Sequence, residues 1–279
     1  MTSAYLSSPA PVALAHRGGW LTGERGAPRT ELENTAAAFQ HAVDLGYTYL
    51  ETDVHATADG VLMAFHDPTL DRATDRSGSI GELPYREVSR ARVGGSEPVP
   101  VLEDLLGSWP EARFNIDLKA DAAVAPLREV LRRTNAWDRV CVGSFDQRRL
   151  DRARALLGRP VATSCGPLDV VRLRAASLSP LLRALAGRVP VCAQIPMLHG
   201  GFPLLSRDLI RTAHRMGLQV HVWTINEPRV MERLLDAGVD GIVTDNTVAL
   251  RDLLVRRGQW SGPSPGARDT VHDSLSQNG

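Results

Sequence analysis

The 279-residue chain carries 32 Lys and Arg against 32 Asp and Glu, a formal net charge of zero with the histidines neutral. That balance excludes a dedicated nucleic-acid binder and a polybasic surface-adhering protein, both of which carry a basic excess. With 43 % hydrophobic and 23 % charged residues, the composition is that of a globular protein long enough to bury a core without disulfide staples.

Val12 to Ala15 is a short apolar run ending in His16-Arg17-Gly18-Gly19, which reads as a strand followed by a turn. Asn34 or Thr35 can cap a helix with Ala38, Phe39, Ala42, Val43 and Leu45 on its apolar side and Gly46 as its stop. Tyr49 to Val54 is the second strand, and Phe114 to Leu118 the third. Arg139 to Gly143, Pro160 to Thr163, Pro190 to Ile195, Leu218 to Trp223 and Gly241 to Thr244 supply five more. Helical patterns lie between them, the clearest from Asn226, a good cap, to Ala237, with Pro228 in the first turn and Gly238 after the end. Eight strand–helix units predict an α/β TIM barrel. A doubly wound sheet is the rival, but Gly18-Gly19 does not extend into the GxGxxG of that fold.

Two regions break the alternation. Residues 69–99, rich in glycine, proline and charge, read as a small inserted subdomain after the second strand; the next helix begins near Pro100. Residues 258–279 are rich in Gly, Ser, Pro and Asp and are expected to be a disordered tail behind a barrel domain of residues 1–257. The three cysteines, Cys141, Cys165 and Cys192, have no CxxC spacing and imply neither a disulfide framework nor a thiolate zinc site. Met1 to Pro11 lacks the pattern of a secretory signal, and no run approaches the ~18 apolar residues of a membrane span. The expectation is a cytoplasmic protein with no integral membrane segment; the sequence does not speak to oligomeric state.

Barrel chemistry sits at the C-terminal ends of the strands. His16 and Arg17 stand there on strand one. Glu51 and Asp53 on strand two share one face because they are two residues apart, and Asn115, Asp117 and Lys119 do the same on strand three. A turn at Asp59-Gly60 folds the second strand back as a hairpin, pairing Thr57 near Val61 or Leu62 and bringing Asp53 close to His66. Three carboxylates in one barrel mouth repel, and a hard divalent cation, Mg²⁺ or Ca²⁺, relieves this. Two histidines suit general acid–base work, and Arg17 and Lys119 suit a phosphate. Together these point to metal-assisted phosphodiester cleavage.

The blocks His16-Arg17-Gly18-Gly19, Glu33-Asn34-Thr35, Glu51-Thr52-Asp53-Val54, Asp59-Gly60 and Phe65-His66-Asp67 resemble the N-terminal signature of glycerophosphodiester phosphodiesterases. Leu70-Asp71-Arg72-Ala73-Thr74 resembles that family's LxRTT stretch with one substitution. Asn115-Ile116-Asp117-Leu118-Lys119, Ser144-Phe145-Asp146, Trp223-Thr224-Ile225-Asn226 and Gly241-Ile242-Val243-Thr244-Asp245 resemble its later blocks. The resemblance implies hydrolysis of a small-molecule glycerophosphodiester to sn-glycerol 3-phosphate and an alcohol. It makes His16 and His66 the acid–base pair, Glu51, Asp53 and Asp117 the ligands of one divalent cation, and Arg17 and Lys119 the phosphate ligands, with Trp223 lining the mouth. Asp117 departs mildly from the pattern, since the family often has Glu there.

Glu33 is equally well read as a helix-start residue. His55 lies on the hairpin beyond the site, and an approach to substrate is its weaker reading; His41, His199, His214 and His272 read as surface or loop residues, and His221 as barrel interior. No GxSxG elbow surrounds Ser144, so a serine nucleophile is not expected. Two rivals use the same residues: a lysophospholipase D acting on single-chain lipids, and a catalytically silent binding protein. The first needs an apolar approach surface, and the insert offers few bulky apolar residues (Leu70, Ile80, Leu83, Tyr85, Val88, Val93), so water-soluble substrates are favoured.

Overall fold

The computed structural model describes residues 3–7, 11–22, 27–158, 161–179 and 190–262. The apolar runs form eight strands: β1 (Val12–His16), β2 (Tyr49–Ala56), β3 (Arg113–Leu118), β4 (Val140–Gly143), β5 (Ala162–Thr163), β6 (Cys192–Pro196), β7 (Gln219–Trp223) and β8 (Gly241–Thr244). They pair in parallel in the spatial order β5-β4-β3-β2-β1-β8-β7-β6. A parallel bridge between Ser164 and Cys192 closes the ring, so the fold is the expected TIM barrel. Every residue of β2 is buried, as befits a parallel strand covered on both sides.

Helices α1 (Ala36–Asp44), α2 (Leu102–Ser108), α3 (Val124–Thr134), α4 (Gln147–Leu157), α5 (Pro167–Leu178), α6 (Arg207–Arg215), α7 (Pro228–Asp236) and α8 (Thr247–Arg256) follow the strands. Thr35, not Asn34, caps α1: its hydroxyl accepts from Ala38 N at 3.2 Å. The expected cap of α7 is a correction. Glu227 holds the cap position without a side-chain bond, and the Asn226 amide is drawn off to Asp245, whose Oδ2 it meets at 2.8 Å.

Two apolar layers account for the stability. Phe39, Leu50, Phe114, Leu127 and Val142 fill the space between strands and helices. Inside the barrel, Leu14, Tyr49, Cys141, Cys192 and Val243 form a lower plug closed by Tyr5. Because strand side chains alternate, the inward positions above this plug are His16 on β1, Glu51 and Asp53 on β2 and Asn115 and Asp117 on β3. The apolar floor thus gives way to a polar mouth within one repeat of the strand. His221 is wholly buried in the barrel.

After β2 the chain returns antiparallel, pairing Val54 with Ala64 and Ala56 with Leu62; Thr57 N meets Val61 O at 2.9 Å. The excursion that follows has its own small core of Met63, Phe65, Leu70, Ile80, Val88 and Val93. Of the expected tail, residues 258–262 are described, and Trp260 sits edge-on to Tyr47 with ring centroids 5.2 Å apart. Residues 263–279, which include His272, lie outside the described residues.

Candidate active site

The turn after β1 builds one wall of the site. Gly18 adopts φ +87°, and a Cβ there would lie 2.7 Å from the Ala38 side chain, so the turn packs against α1 as only glycine allows. Arg17 itself takes a left-handed φ of 51°. That conformation turns its backbone N–H onto Glu51 Oε2 at 3.1 Å and its guanidinium inward.

His16 and His66 are fixed in the same manner. His16 Nδ1 lies 2.6 Å from Asp245 Oδ1, and His66 Nδ1 lies 2.7 Å from Asp67 Oδ1. Burial opposes ionisation of Asp245, but the hydrogen bond and charge of His16, the Asn226 bond and the Arg17 charge together outweigh it and hold the carboxyl below its usual range. Asp67 is held at about 2, chiefly by its hydrogen bond from Arg72. An ionised carboxylate only accepts, so each Nδ1 carries the proton and each Nε2 is left for chemistry. Burial lowers the His16 pKa, yet the Glu51 charge and the Asp245 bond together raise it above the ordinary value.

The carboxylates lie deeper. Asp53 Oδ1 is 2.8 Å from Lys119 Nζ, and its Oδ2 is 2.9 Å from Arg17 Nε and 3.1 Å from the Asn34 amide. Burial works against its charge, but Lys119 and Arg17 prevail and lower its pKa. Lys119 Nζ also meets Asp117 Oδ2 at 2.7 Å, while Asp117 Oδ1 is buried with no hydrogen-bond partner. Burial raises the Asp117 carboxyl. Glu51 is pushed up to about 7 by burial and then by the Asp53 charge. Hard oxygen donors, one of them orphaned, fit a divalent cation in kind. In the present arrangement Lys119 occupies the notch between Asp53 and Asp117. Among the described residues no three acids, histidines or cysteines gather as a ligand set.

A cavity of about 690 Å³ unites these groups. His16, Arg17, Glu51, Asp53, His66, Asp117, Lys119 and Trp223, all eight residues singled out from sequence, line it. Trp223 meets Phe145 edge-on at 5.4 Å between centroids. Lys119 Nζ lies 5.3 Å from the Phe145 ring centre. The opposite wall is apolar and comes from α5, β6 and the chain after it: Val170, Val171, Ala175, Leu178, Ile195 and Leu204.

Residues 25–249 match the glycerophosphoryl diester phosphodiesterase family. The chain belongs to that family. It is 43 % identical over 265 residues to a probable glycerophosphodiester phosphodiesterase 2 of Mycobacterium tuberculosis, covering 94 % of this chain and 97 % of that one. It is 28 % identical to the human lysophospholipase D GDPD1, covering 86 % and 85 % of the two. Among solved structures, a putative glycerophosphoryl diester phosphodiesterase from Silicibacter pomeroyi superposes with a TM-score of 0.73 at 25 % identity, covering 92 % of this chain and 98 % of that one. An Oleispira antarctica phosphodiesterase in complex with sn-glycerol-3-phosphate shares the fold with a TM-score of 0.71 at 22 % identity, over 91 % and 100 % of the chains.

Several residues of this phosphodiesterase were visible in sequence only as members of blocks, without a role. Asp245 directly follows β8, and that strand-end position is the signal that marks it as the partner of His16. Asp67 stands beside His66 and orients it. Arg72, from the insert, bonds Asp67 through Nε at 2.5 Å and Glu33 through Nη2, while Glu33 bonds Arg17 Nη1 at 2.8 Å. One guanidinium therefore braces Asp67, the partner of His66, and Glu33, the partner of Arg17, at once. His55 directs Nε2 to the His66 carbonyl at 3.1 Å, which holds the hairpin return in place. Replacing Arg72 by Gln should lower kcat by on the order of 10–100-fold, the usual cost of losing such an orienting partner. Arg72→Lys should not restore it, because an ammonium cannot span both carboxylates in one plane. Steady-state kinetics check this; Arg72 is exposed, so the melting temperature should hardly move.

Proposed function

We propose that the protein hydrolyses glycerophosphodiesters to sn-glycerol 3-phosphate and an alcohol, with His16 and His66 as general acid and base and one divalent cation, Ca²⁺ or Mg²⁺, held by Glu51, Asp53 and Asp117. One observation carries this reading: two histidines, each locked at Nδ1 by an ionised aspartate, line the same cavity as Arg17 and Lys119. One imidazole takes the proton of the attacking oxygen, while the other donates a proton to the alkoxide as the phosphorus–oxygen bond to the alcohol breaks. Arg17 and Lys119 face the charge that builds on the non-bridging oxygens. The cation, when bound, polarises the phosphoryl group and offsets the charge of the three carboxylates. The product-bound Oleispira enzyme, which shares the fold, supports the substrate class.

The apolar wall supports a second reading, hydrolysis of lysophospholipids. A single acyl chain needs a greasy approach, and α5, not the insert, supplies it. The human relative named lysophospholipase D GDPD1 agrees with this. Purified enzyme should release sn-glycerol 3-phosphate from glycerophosphocholine, lose at least about 100-fold in rate with EDTA, and recover with added Mg²⁺ or Ca²⁺. Release that ignores chelation would remove the metal from the reaction. A higher kcat/KM for choline release from lysophosphatidylcholine would decide for the second reading. No turnover of either substrate would leave the silent binding protein.

A further inference from the structure

Helix α5 is apolar on two sides. Leu173 and Ala176 are buried against the body of the protein. Leu168, Val171, Ala175 and Leu178 form a second stripe at helical spacing, with Leu168, Val171 and Leu178 exposed by 52 %, 64 % and 71 %. A short hairpin after β6, pairing Leu198–His199 with Phe202–Pro203, adds Leu198 and Phe202, exposed by 57 % and 78 %. His199 of that hairpin and Val171 and Leu178 of α5 all line the catalytic cavity, so stripe and hairpin share its rim. Met197 precedes that hairpin and Phe145 lines the same cavity, and both are exposed; the other exposed large apolar side chains among the described residues, Tyr85, Leu156 and Val255, lie on three separate helices. A clustered patch at a rim is a site of contact, whereas scattered ones are not.

We propose that this face docks on a phospholipid bilayer and brings the cavity mouth to the membrane surface. The charge pattern fits that occupant. The only acid of α5, Asp169, is turned inward, with Oδ2 2.8 Å from Arg154 Nη2 and 3.0 Å from Gly166 N. Arg172 and Arg174 stand among the apolar positions. Arg172 is mostly exposed and only 3.7 Å-paired to Asp169, and Arg174 bonds the Ser177 hydroxyl at 3.0 Å. No acid occurs from Met197 to Pro203. Exposed leucines and a phenylalanine with interspersed arginines make an interfacial surface, in which apolar side chains enter the acyl boundary and cations meet anionic head groups. A protein seated on the same rim would cover the catalytic entrance, whereas a bilayer is a source of phosphodiester substrate. The inference rests on this face and holds for either substrate class proposed above.

The test is co-sedimentation of the intact protein with vesicles of phosphatidylcholine containing about 30 % phosphatidylglycerol. Wild-type protein should pellet with the vesicles. The triple variant Leu168→Ser, Leu198→Ser, Phe202→Ser changes only residues that do not line the cavity. It should partition at least about tenfold less while hydrolysing glycerophosphocholine at the wild-type rate. Arg172→Gln should weaken binding about fivefold at low salt. Wild-type protein that stays in the supernatant, or a triple variant that pellets like wild type, would overturn the proposal. So would vesicle-free sedimentation velocity showing a dimer that the triple variant abolishes, since the occupant would then be a second copy. Vesicle binding is read without turnover, so its failure is distinct from failure of the phosphodiesterase reading.

Discussion

Replacing His16 or His66 by alanine should each lower kcat on glycerophosphocholine by on the order of 10²–10⁴-fold, the range lost with a general acid or base. The fold should survive, because neither ring belongs to the buried apolar layers and Asp245 keeps its bond from Asn226. Circular dichroism with a thermal melt checks that half of the expectation. Leaving-group dependence then assigns the roles. A p-nitrophenyl ester of glycerol phosphate expels a stable anion that needs no proton, so the variant lacking the acid should recover most of its rate on that substrate. The variant lacking the base should not. Near-wild-type kcat in either variant would remove that histidine from the reaction.

Lys119→Met should be the most destabilising of the changes considered. Lys119 Nζ bridges Asp53 at 2.8 Å and Asp117 at 2.7 Å, and both carboxylates are buried. Methionine keeps the length of the side chain but leaves two facing carboxylates without their shared cation. Removing one partner of a buried pair costs about 3–5 kcal/mol. For a domain of this size that is a fall in Tm of roughly 10 °C. Added Mg²⁺ or Ca²⁺ should then raise the Tm of the variant more than that of wild type, because a cation replaces the missing charge at Asp53 and Asp117. Equal, null shifts in both proteins would count against a cation site at these carboxylates, independently of any assay of turnover.

The parts of the site that repeat with period two were legible in the sequence. Glu51 with Asp53 and Asn115 with Asp117 share a face in any strand register, and strand ends in a barrel converge on one mouth, so their meeting followed from local pattern. The hairpin turn likewise placed His66 near Asp53: Phe65 N bonds Asp53 O at 2.9 Å. What stayed hidden depended on tertiary placement. Asn226 has the chemistry of a helix cap, and only the nearness of β8 diverts its amide to Asp245. Arg72 could have served any acid within reach; the fold of the insert chooses Asp67 and Glu33. The apolar wall was missed for a related reason. Val171, Ala175 and Leu178 follow the spacing of a core-facing stripe, and nothing local tells that α5 presents them to the cavity, with Leu168 of the same stripe turned to solvent.

The barrel is also not equally strong around its circumference. β2 and β3 pair over six residue positions, and β6 and β7 over five, but β5 pairs with β4 over two and meets β6 through the single Ser164–Cys192 bridge. Local opening costs least where the fewest ladder bonds must break. That seam lies directly before α5, which follows β5 and carries the apolar wall. The carboxylates and both histidines hang instead from β1, β2, β3 and the hairpin of β2. Compliance and rigidity are therefore divided around one ring: the weakly laddered seam lies beside the arc that carries the apolar wall, while the histidines and carboxylates hang from strands paired over longer stretches.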